Sequence, residues 1–256
     1  MQLEGKRTIV VGGASGIGAA TVAAFAREGA AVVALDIADD AGKTAAEAAG
    51  GLGPGPVTYR RCDVSNQAEV DSVIDESVTG LGGLDALIMC AGIERQKPAE
   101  DLTGADIDEI FDVHFKGTAF TNAAAFRAMR DTGGSIVNYS SGAGVTGYPG
   151  SAAYSAAKGA ILAYTRTVAQ DWGPLWIRVN AVCPGAMTPM VEEHFKAMPA
   201  EVREQYEAIY KMRIPLGGKL TTVENIASVN VFLASDASVF MTGQTIGVDG
   251  GWTMPR

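Results

Sequence analysis

The sequence has few of the residues that build disulfide frameworks or metal sites. Its 256 residues include three cysteines, Cys62, Cys90 and Cys183, and two histidines, His114 and His194. The cysteines are isolated and odd in number, so neither a disulfide framework nor a metal-ligand cluster is expected. Scattered free thiols are typical of a reducing compartment, and we expect a cytoplasmic protein.

Positive charge and long apolar runs are also scarce. Lys and Arg total 20 against 29 Asp and Glu, which gives a formal net charge of −9. Without a basic stripe, the chain is a poor candidate for binding nucleic acid or anionic lipid. No apolar run approaches the roughly 20 residues of a membrane span, and residues 1–7 lack the apolar segment of a signal peptide. We therefore expect neither a nucleic-acid partner nor a membrane partner.

Short β-branched runs alternate with Ala-rich helical stretches along the chain. Expected strands cover 8–11, 31–35, 57–61, 86–90, 135–139, 177–182 and 244–248, and the main expected helices cover 17–27, 104–129, 151–172, 189–212 and 223–234. Such alternation indicates βαβ crossovers. The expected fold class is α/β, a three-layer Rossmann fold with a doubly wound parallel sheet of about seven strands flanked by helices. Ser65 is the expected N-cap of a further helix that ends near residue 80.

A glycine-rich turn joins the first expected strand to the first expected helix. Gly12, Gly16 and Gly18 stand at the spacing G-x-x-x-G-x-G. A helix N-terminus offers free N–H groups and a favourable dipole to a pyrophosphate, and glycine lets the backbone approach it closely. The turn therefore predicts a dinucleotide site, with candidate contacts at Gly12, Ser15, Gly16, Ile17 and Gly18.

Asp36 ends the second expected strand, 18 residues after Gly18. A carboxylate at this place accepts hydrogen bonds from ribose hydroxyls and repels a 2′-phosphate, and Ile37 beside it brings no cation. We therefore expect residues 1–256 to form a single NAD-binding domain, with a substrate lid inserted at about 186–215. The alternative interpretation of Asp36 is a surface residue that caps the following helix.

Tyr154 and Lys158 are spaced i, i+4, which places both side chains on one face of an expected helix. Ser141 follows the fifth expected strand, at the end of the sheet where open α/β folds bind ligands. Carbonyl reduction needs an acid near the forming alkoxide, and alcohol oxidation needs the matching base. A neighbouring ammonium and a bound pyridinium are expected to lower the pKa of the phenol, and Ser141 would hold the reacting oxygen.

Across essentially its whole length, the sequence resembles the short-chain dehydrogenase/reductase family. The resemblance depends on motifs that occur in a specific order. They are residues 12–18, Asp36, Asp63-Val64, Ala91-Gly92, Ser141, Tyr154, Lys158, Asn180, Pro184-Gly185, Thr188, Thr242-Gly243-Gln244 and Asp249-Gly250-Gly251.

The resemblance implies an oxidoreductase acting on a secondary alcohol or ketone. It implies that Tyr154 is the general acid/base, that Lys158 binds the ribose and shifts the phenol's pKa, and that Ser141 binds the substrate oxygen. It also implies that Asp63 contacts adenine and that residues 184–188 hold the nicotinamide amide. The other cofactor contacts that it implies are Cys62, Val64, Cys90, Ala91, Gly92, Pro184, Gly185, Met187 and Thr188. Family members are usually tetramers or dimers packed through two long helices, so a homotetramer or homodimer is expected.

Four places depart from the family pattern. Val11 replaces a Thr at the start of the glycine motif, and only a small structural effect is expected. Cys90 replaces an Asn, either as a small buried hydrophobe or as a reactive redox thiol. His114 replaces the helix Asn of the family's catalytic tetrad; since imidazole holds water and titrates near neutral pH, it either substitutes in the proton relay or is a structural histidine beside an impaired relay. In the first case, His114→Asn changes the pH profile of the reaction. The segment 184–188 is one residue shorter than usual, so its nicotinamide contact is expected to be shifted.

The insert 189–212 is the expected substrate lid. It carries Met190, Phe195, Met198, Tyr206, Tyr210 and Met212, with Met187 and Tyr148 expected nearby. These flexible and aromatic side chains either line an apolar pocket or pack the lid helices onto the body. The expected partner is a small alcohol or ketone, apolar or cyclic.

Two other functions stay open on the sequence alone. An NAD-binding sensor or scaffold with impaired catalysis is compatible with His114 and Cys90. An acyl-thioester ketoreductase is compatible with the Ser-Tyr-Lys set, although such enzymes usually use NADPH, which Asp36 disfavours. Enoyl reductases of the family place six residues between Tyr and Lys, and this chain has three.

Overall fold

Seven parallel strands form one sheet in the computed structural model, which describes residues 1–254 apart from the side chain of His194. The strands are β1 (Arg7–Val11), β2 (Ala31–Asp36), β3 (Val57–Arg61), β4 (Ala86–Met89), β5 (Gly134–Tyr139), β6 (Ile177–Pro184) and β7 (Thr245–Val248). Their order is β3-β2-β1-β4-β5-β6-β7, and all adjacent strands run parallel. The chain order reverses between β1 and β4, and ligands of open α/β sheets bind at the carboxyl ends of strands beside such a reversal.

Helices cover both faces of the sheet. They are α1 (Gly16–Arg27), α2 (Asp39–Gly50), α3 (Gln67–Leu81), α4 (Gly104–Phe111), α5 (Gly117–Met129), α6 (Gly142–Thr146), α7 (Ala152–Trp172), α8 (Pro189–Ala197), α9 (Ala200–Arg213) and α10 (Val223–Ala234). Successive residues of β1 point to opposite faces, so Val10 packs in a core with Phe25 and Ile226, and Ile9 packs in a second core with Met129. The expected three-layer Rossmann fold is confirmed.

Of the three long helical stretches expected from the sequence, 151–172 is one helix, α7, and the other two are divided. A π-helical segment, Asp112–Lys116, interrupts the stretch 104–129 and contains His114. The stretch 189–212 forms α8 and α9, with extended backbone at Met198. The residue before a proline avoids helical geometry, so Pro199 explains this break.

The N-cap of α3 is also different from the expected one. Asn66 occupies the cap position, and its side chain accepts a hydrogen bond from the Glu69 N–H at 3.3 Å. Ser65 instead donates its hydroxyl hydrogen to Asp63. Within residues 1–254, no helix is both long and apolar enough to cross a membrane.

Candidate active site

Tyr154 and Lys158 lie one helical turn apart near the beginning of α7. The Lys158 Nζ atom is 5.6 Å from the centroid of the Tyr154 ring and donates a hydrogen bond to the carbonyl oxygen of Tyr139 at 2.8 Å. Lys158 is buried, and burial lowers its pKa to about 8. The ammonium is therefore fixed beside the phenol by the last residue of β5.

Ser141 follows β5 and caps α6, where its Oγ atom accepts a hydrogen bond from the Ala143 N–H at 3.1 Å. Helix α6 lies directly on α7 because Gly144 has no side chain, and a Cβ atom there would be 2.7 Å from the carbonyl carbon of Lys158. The Ser141 hydroxyl lies near the Tyr154 phenol, where it acts to lower the pKa of the phenol. The structure thus brings Ser141, Tyr154 and Lys158 together.

The pKa of Tyr154 is raised in the chain by itself. Burial raises it to about 12, which outweighs the opposing effect of the hydrogen bond from Ser141, and the negative charge of Glu94 raises it further. The lowering that is expected from the ammonium together with a bound pyridinium stays a prediction.

His114 is only 2% exposed, and its ring lies against the ring of Tyr154. Its Nε2 atom is 2.6 Å from the Ile93 carbonyl oxygen and 3.2 Å from the Ile93 nitrogen, while its buried Nδ1 atom has no hydrogen-bond partner among the described residues. Burial and the positive charge of Lys158 lower its pKa to about 3. The expectation that His114 titrates near neutral pH is wrong, because the buried ring stays neutral there; a neutral imidazole still donates and accepts hydrogen bonds.

The glycine-rich turn has the backbone geometry that its residues indicate. Gly12 and Gly16 have φ angles of 81° and 53°, and a Cβ atom on Gly18 would lie 1.9 Å from the Gly12 oxygen. Ser15 is the N-cap of α1 without a side-chain capping bond, and no acidic residue stands in the first turn. The first-turn N–H groups are thus not satisfied by a side-chain cap, which fits a pyrophosphate. Ile17, by contrast, packs against the core.

Residues 184–188 lie across the crevice from this turn. A Cβ atom on Gly16 would be 3.8 Å from the Thr188 Cβ atom, and Thr188 caps α8 through a hydrogen bond from the Val191 N–H at 3.3 Å. Gly185 permits a close contact with Asp249, because a Cβ atom there would be 2.8 Å from the Asp249 Cα atom. Pro184 ends β6 and Met187 is exposed, so the segment expected to hold nicotinamide lies at the carboxyl end of β6, beside the glycine-rich turn.

Asp36 stands at the carboxyl end of β2, next to the glycine-rich turn. Its Oδ2 atom accepts a hydrogen bond from the Ala14 N–H at 3.0 Å, and its Oδ1 atom accepts one from the Ala38 N–H at 3.1 Å. The N-cap of α2 is Ala38, so Asp36 is not the helix cap of the alternative interpretation. Ile37 beside it is exposed. Its carboxylate therefore faces the site where the sequence predicts the adenosine ribose.

The remaining predicted cofactor contacts divide into main-chain and side-chain candidates. The side chains of Cys62 and Val64 are buried in the core, so these residues could reach a cofactor only through their backbone. The Oδ1 atom of Asp63 accepts hydrogen bonds from Ser65, which lower the pKa of this carboxyl group. Cys90, Ala91 and Gly92 border the site where β4 ends. The Ala91 nitrogen would lie 2.6 Å from a Cβ atom on Gly12, and Gly92 contacts the ring of His114.

The cysteine side chains favour the structural interpretation of Cys90. Burial raises the pKa of Cys62 and of Cys90 to about 12, although Tyr139 and Lys158 oppose the shift at Cys90. Burial also raises the pKa of Cys183. The thiolate is the reactive form of cysteine, so these positions have the properties of small apolar residues.

Aromatic residues of α8 and α9 pack on one another above the crevice. The Phe195 and Tyr210 rings stack with centroids 5.8 Å apart, and Tyr210 also meets Trp252 at 5.3 Å. The Tyr148 hydroxyl lies 3.5 Å from that of Tyr206. The sequence analysis did not predict that Trp252 belongs to this aromatic cluster. The feature that could have indicated it is an aromatic residue directly after the Asp-Gly-Gly motif.

Two of the predicted pocket residues are not in this cluster. Met212 is 76% exposed and Met190 is 51% exposed. Met212 agrees with neither interpretation, pocket lining or packing of the lid helices, because the turn of α9 that carries Tyr210 inward directs Met212 to solvent. Met198 lies half-buried between the two helices.

Comparisons with known proteins agree with this geometry. Residues 12–253 match a family model described as Enoyl-(Acyl carrier protein) reductase. The chain is 39% identical to the 3-oxoacyl-[acyl-carrier-protein] reductase FabG of Thermotoga maritima, over 98% of this chain and 99% of that protein. It is 36% identical to a 2,5-dichloro-2,5-cyclohexadiene-1,4-diol dehydrogenase of Sphingobium indicum, over 98% of both chains, and 36% identical to a D-xylose 1-dehydrogenase of Caulobacter vibrioides, over 98% of this chain and 96% of that protein.

Solved structures show the same architecture. A levodione reductase superposes with a TM-score of 0.91 at 29% identity, covering 97% of this chain and 98% of that one. A short-chain type dehydrogenase/reductase from Mycobacterium marinum superposes with a TM-score of 0.88 at 32% identity, covering 99% of this chain and 98% of that one.

Proposed function

Because the chain belongs to the short-chain dehydrogenase/reductase family of oxidoreductases, we propose that it is an NAD-dependent enzyme that interconverts a secondary alcohol and a ketone. The observation that carries this proposal is the meeting of Ser141, Tyr154 and Lys158 at the carboxyl end of β5. When bound, the nicotinamide ring accepts the hydride from the alcohol carbon or returns it to the ketone carbon.

Each of the three side chains has a distinct task in this scheme. The Tyr154 oxygen takes the hydroxyl proton as the alcohol is oxidised, or gives it to the forming alkoxide in reduction. Ser141 donates a hydrogen bond to the same substrate oxygen and keeps it in line. The buried ammonium of Lys158 has its Nζ atom 5.6 Å from the Tyr154 ring centroid, and its positive charge favours the phenolate form during the reaction.

His114 is proposed to take part as a neutral group. Its Nε2 atom binds Ile93, which leaves the buried Nδ1 atom to accept a hydrogen bond from a water on the proton path near Lys158. This role needs no titration of the ring. The proposal is therefore compatible with a pKa of about 3 for His114.

The residues of the crevice fit a nicotinamide dinucleotide. The first turn of α1 has no side-chain cap and offers its N–H groups to a pyrophosphate. Asp36 accepts hydrogen bonds from ribose hydroxyls, and Asp39 and Asp40 follow it in sequence. Three carboxylates at this place disfavour a 2′-phosphate, which supports NAD over NADP.

The substrate is proposed to be a cyclic or otherwise apolar secondary alcohol, covered by a lid at about 186–215. The aromatic cluster of Phe195, Tyr206 and Tyr210 supplies apolar surface on α8 and α9. Two relatives are named for a cyclohexadiene diol and for D-xylose, which supports a ring-shaped alcohol.

A cytoplasmic homotetramer or homodimer is part of the proposal. Free cysteines support the compartment. Phe240 is 93% exposed and Val239 is also exposed, close in sequence to the edge strand β7, which supports burial of this region against a second copy. Light scattering coupled to size-exclusion chromatography measures the assembly.

The direct test is a panel of secondary alcohols with NAD and with NADP, read at the absorbance band of reduced nicotinamide. Wild type should turn over at least one alcohol with NAD, and Tyr154→Phe should lose about 10³-fold or more in kcat while binding NAD as before. Tyr164→Phe is the matched control, because Tyr164 lies on the same helix with its ring against Phe115. NAD binding without any turnover by wild type would favour a sensor or scaffold.

A second candidate function is an acyl-thioester ketoreductase. The 39% identity to the Thermotoga maritima reductase favours it. An acetoacetyl thioester with NADPH and with NADH belongs in the same panel, and a preference for this pair over every alcohol would select the second candidate.

A further inference from the structure

The loop that follows β4 is held between the catalytic residues and the loop before α7. Ile93 is held by His114, whose Nε2 atom donates a hydrogen bond to the Ile93 carbonyl oxygen at 2.6 Å and whose ring contacts Tyr154. Four residues later, the Lys97 N–H donates to the Gly150 carbonyl oxygen at 2.9 Å. Glu94 is therefore placed between two anchors that border the substrate side of the crevice.

The carboxylate of Glu94 is exposed and weakly held. The Gln96 amide donates to it at 3.4 Å, and the nearby Arg95 guanidinium pairs with Glu109 at 3.1 Å instead. Its negative charge acts on two phenols of the crevice, since it contributes to the raised pKa of both Tyr154 and Tyr148. Within the described residues, Glu94 forms no ion pair.

The Tyr148 loop lies next to the Glu94 loop, because Gly150 binds Lys97. The hydroxyl groups of Tyr148 and Tyr206 are 3.5 Å apart, and the Tyr206 ring packs at 5.8 Å from Phe195. A ring-shaped ligand can lie against these aromatic side chains while its polar groups meet phenol oxygens and a carboxylate. An anionic ligand would be repelled by Glu94. A neutral ligand with a second hydroxyl group would donate a charge-assisted hydrogen bond to it.

From this arrangement we infer that Glu94 selects the substrate, and that the preferred substrate is a cyclic alcohol with a second hydroxyl group near the reacting one. The reacting hydroxyl lies at Tyr154 and Ser141, and the second hydroxyl donates to the carboxylate of Glu94. This inference depends on the proposed function and narrows its substrate class. A second hydroxyl distinguishes this class from the purely apolar alcohols that the sequence alone predicts.

The test compares cyclohexanol with cis-1,2-cyclohexanediol, with NAD as the oxidant, in wild type and in Glu94→Leu. The ratio of kcat/KM for the diol over cyclohexanol should be at least about tenfold in wild type, and the substitution should abolish most of it. The ratio cancels any general effect of the Glu94 charge on Tyr154, because both compounds use the same base. Glu100→Leu is the matched control, since it removes an exposed carboxylate from the short helix Ala99–Asp101, and its ratio should equal that of wild type.

The charge of the second group is tested with trans-2-aminocyclohexanol and with Glu94→Gln. If the amino alcohol is preferred over the diol and loses its advantage in Glu94→Gln, the ligand is a cation and the diol assignment is overturned. A wild-type ratio near one that Glu94→Leu leaves unchanged also overturns the assignment but leaves the proposed function standing. If wild type oxidises no alcohol in any panel, both proposals fail together.

Discussion

The imidazole of His114 stands edge-on to the phenol ring of Tyr154, with centroids 5.2 Å apart and ring planes at 87°. This contact joins the π-helical segment after α4 to the first turn of α7. The His114 ring also leaves room only for glycine at position 92, because a Cβ atom on Gly92 would lie 2.5 Å from the His114 Cε1 atom. His114 thus packs between the loop after β4 and helix α7, and it is also a polar neighbour of Lys158.

The first prediction concerns acid stability. Burial depresses the pKa of His114 to about 3, so between pH 6.5 and pH 3 the unfolded chain binds more protons than the folded one. Stability from this group is complete above pH 6.5 and decreases as the pH falls, by at most about 1.4 kcal/mol per pH unit. His114→Asn should therefore show a shallower loss of unfolding free energy between pH 7 and pH 5, measured by urea titration.

The same variant keeps the other histidine of the chain, so the difference in slope isolates His114. Its NAD binding should equal that of wild type, and its pH–rate profile should keep its shape between pH 5 and pH 8. A displaced acid limb in that range would show that the imidazole does titrate during catalysis. Equal slopes of stability against pH would contradict the depressed pKa.

The second prediction concerns the choice of dinucleotide. Asp36→Ser removes the carboxylate beside the glycine-rich turn but leaves a hydroxyl that can still accept from the Ala14 N–H. The ratio of kcat/KM for NADP over NAD should rise by about tenfold or more, equivalent to roughly 1.4 kcal/mol. Glu47→Ser removes an exposed carboxylate further along α2; it is the control and should change the ratio little. An unchanged preference in Asp36→Ser would refute the repulsion argument.

The third prediction concerns the thiols. Burial raises the pKa of Cys62 and Cys90 to about 12, and that of Cys183 is raised as well. The folded protein should react slowly with an aromatic disulfide reagent at pH 8, and all three thiols of the chain should react at once in denaturant. Rapid labelling of one thiol in the folded protein, abolished by Cys90→Ser, would restore the redox interpretation.

The fourth prediction concerns a buried amide pair. The Asn122 and Asn138 side chains exchange hydrogen bonds of 2.9 and 3.1 Å, and Asn138 also donates to the Thr165 hydroxyl at 3.0 Å. Asn138→Leu should destabilise the fold by about 1–3 kcal/mol, because the Asn122 amide loses its partner without access to water. The double variant Asn122→Leu/Asn138→Leu should cost less than the sum of the two single ones in urea unfolding. Additive costs would mean that the two amides do not depend on each other.

Most strands and helices of the fold could be predicted because the sequence patterns that indicate them are local. All seven expected strands are present, since a run of β-branched residues between two helices is buried on both faces wherever a parallel sheet forms. The glycine-rich turn could also be predicted from local sequence, because a side chain at Gly18 would collide with the backbone of the same turn.

Other features depend on contacts that no local pattern encodes. The pKa direction of Tyr154 is set by how deeply α7 is covered, and the neutral state of His114 by its burial beside Lys158. Pro199 marks the break between α8 and α9, but the residues on both sides of it have a helical pattern, and that pattern by itself predicts one helix. Tyr148 and Tyr206 are 58 residues apart, so their meeting could not be predicted from spacing.

The close approach at Gly144 gives the two halves of the site different freedom to change. There, main chain meets main chain, so the spacing between Ser141 and Tyr154 depends on two backbones and on the absence of a side chain at Gly144. Helices α8 and α9 meet their surroundings largely through aromatic rings, which can be swapped one at a time. Substitutions in α8 and α9 can thus change which substrate binds while the geometry of Ser141 and Tyr154 stays the same.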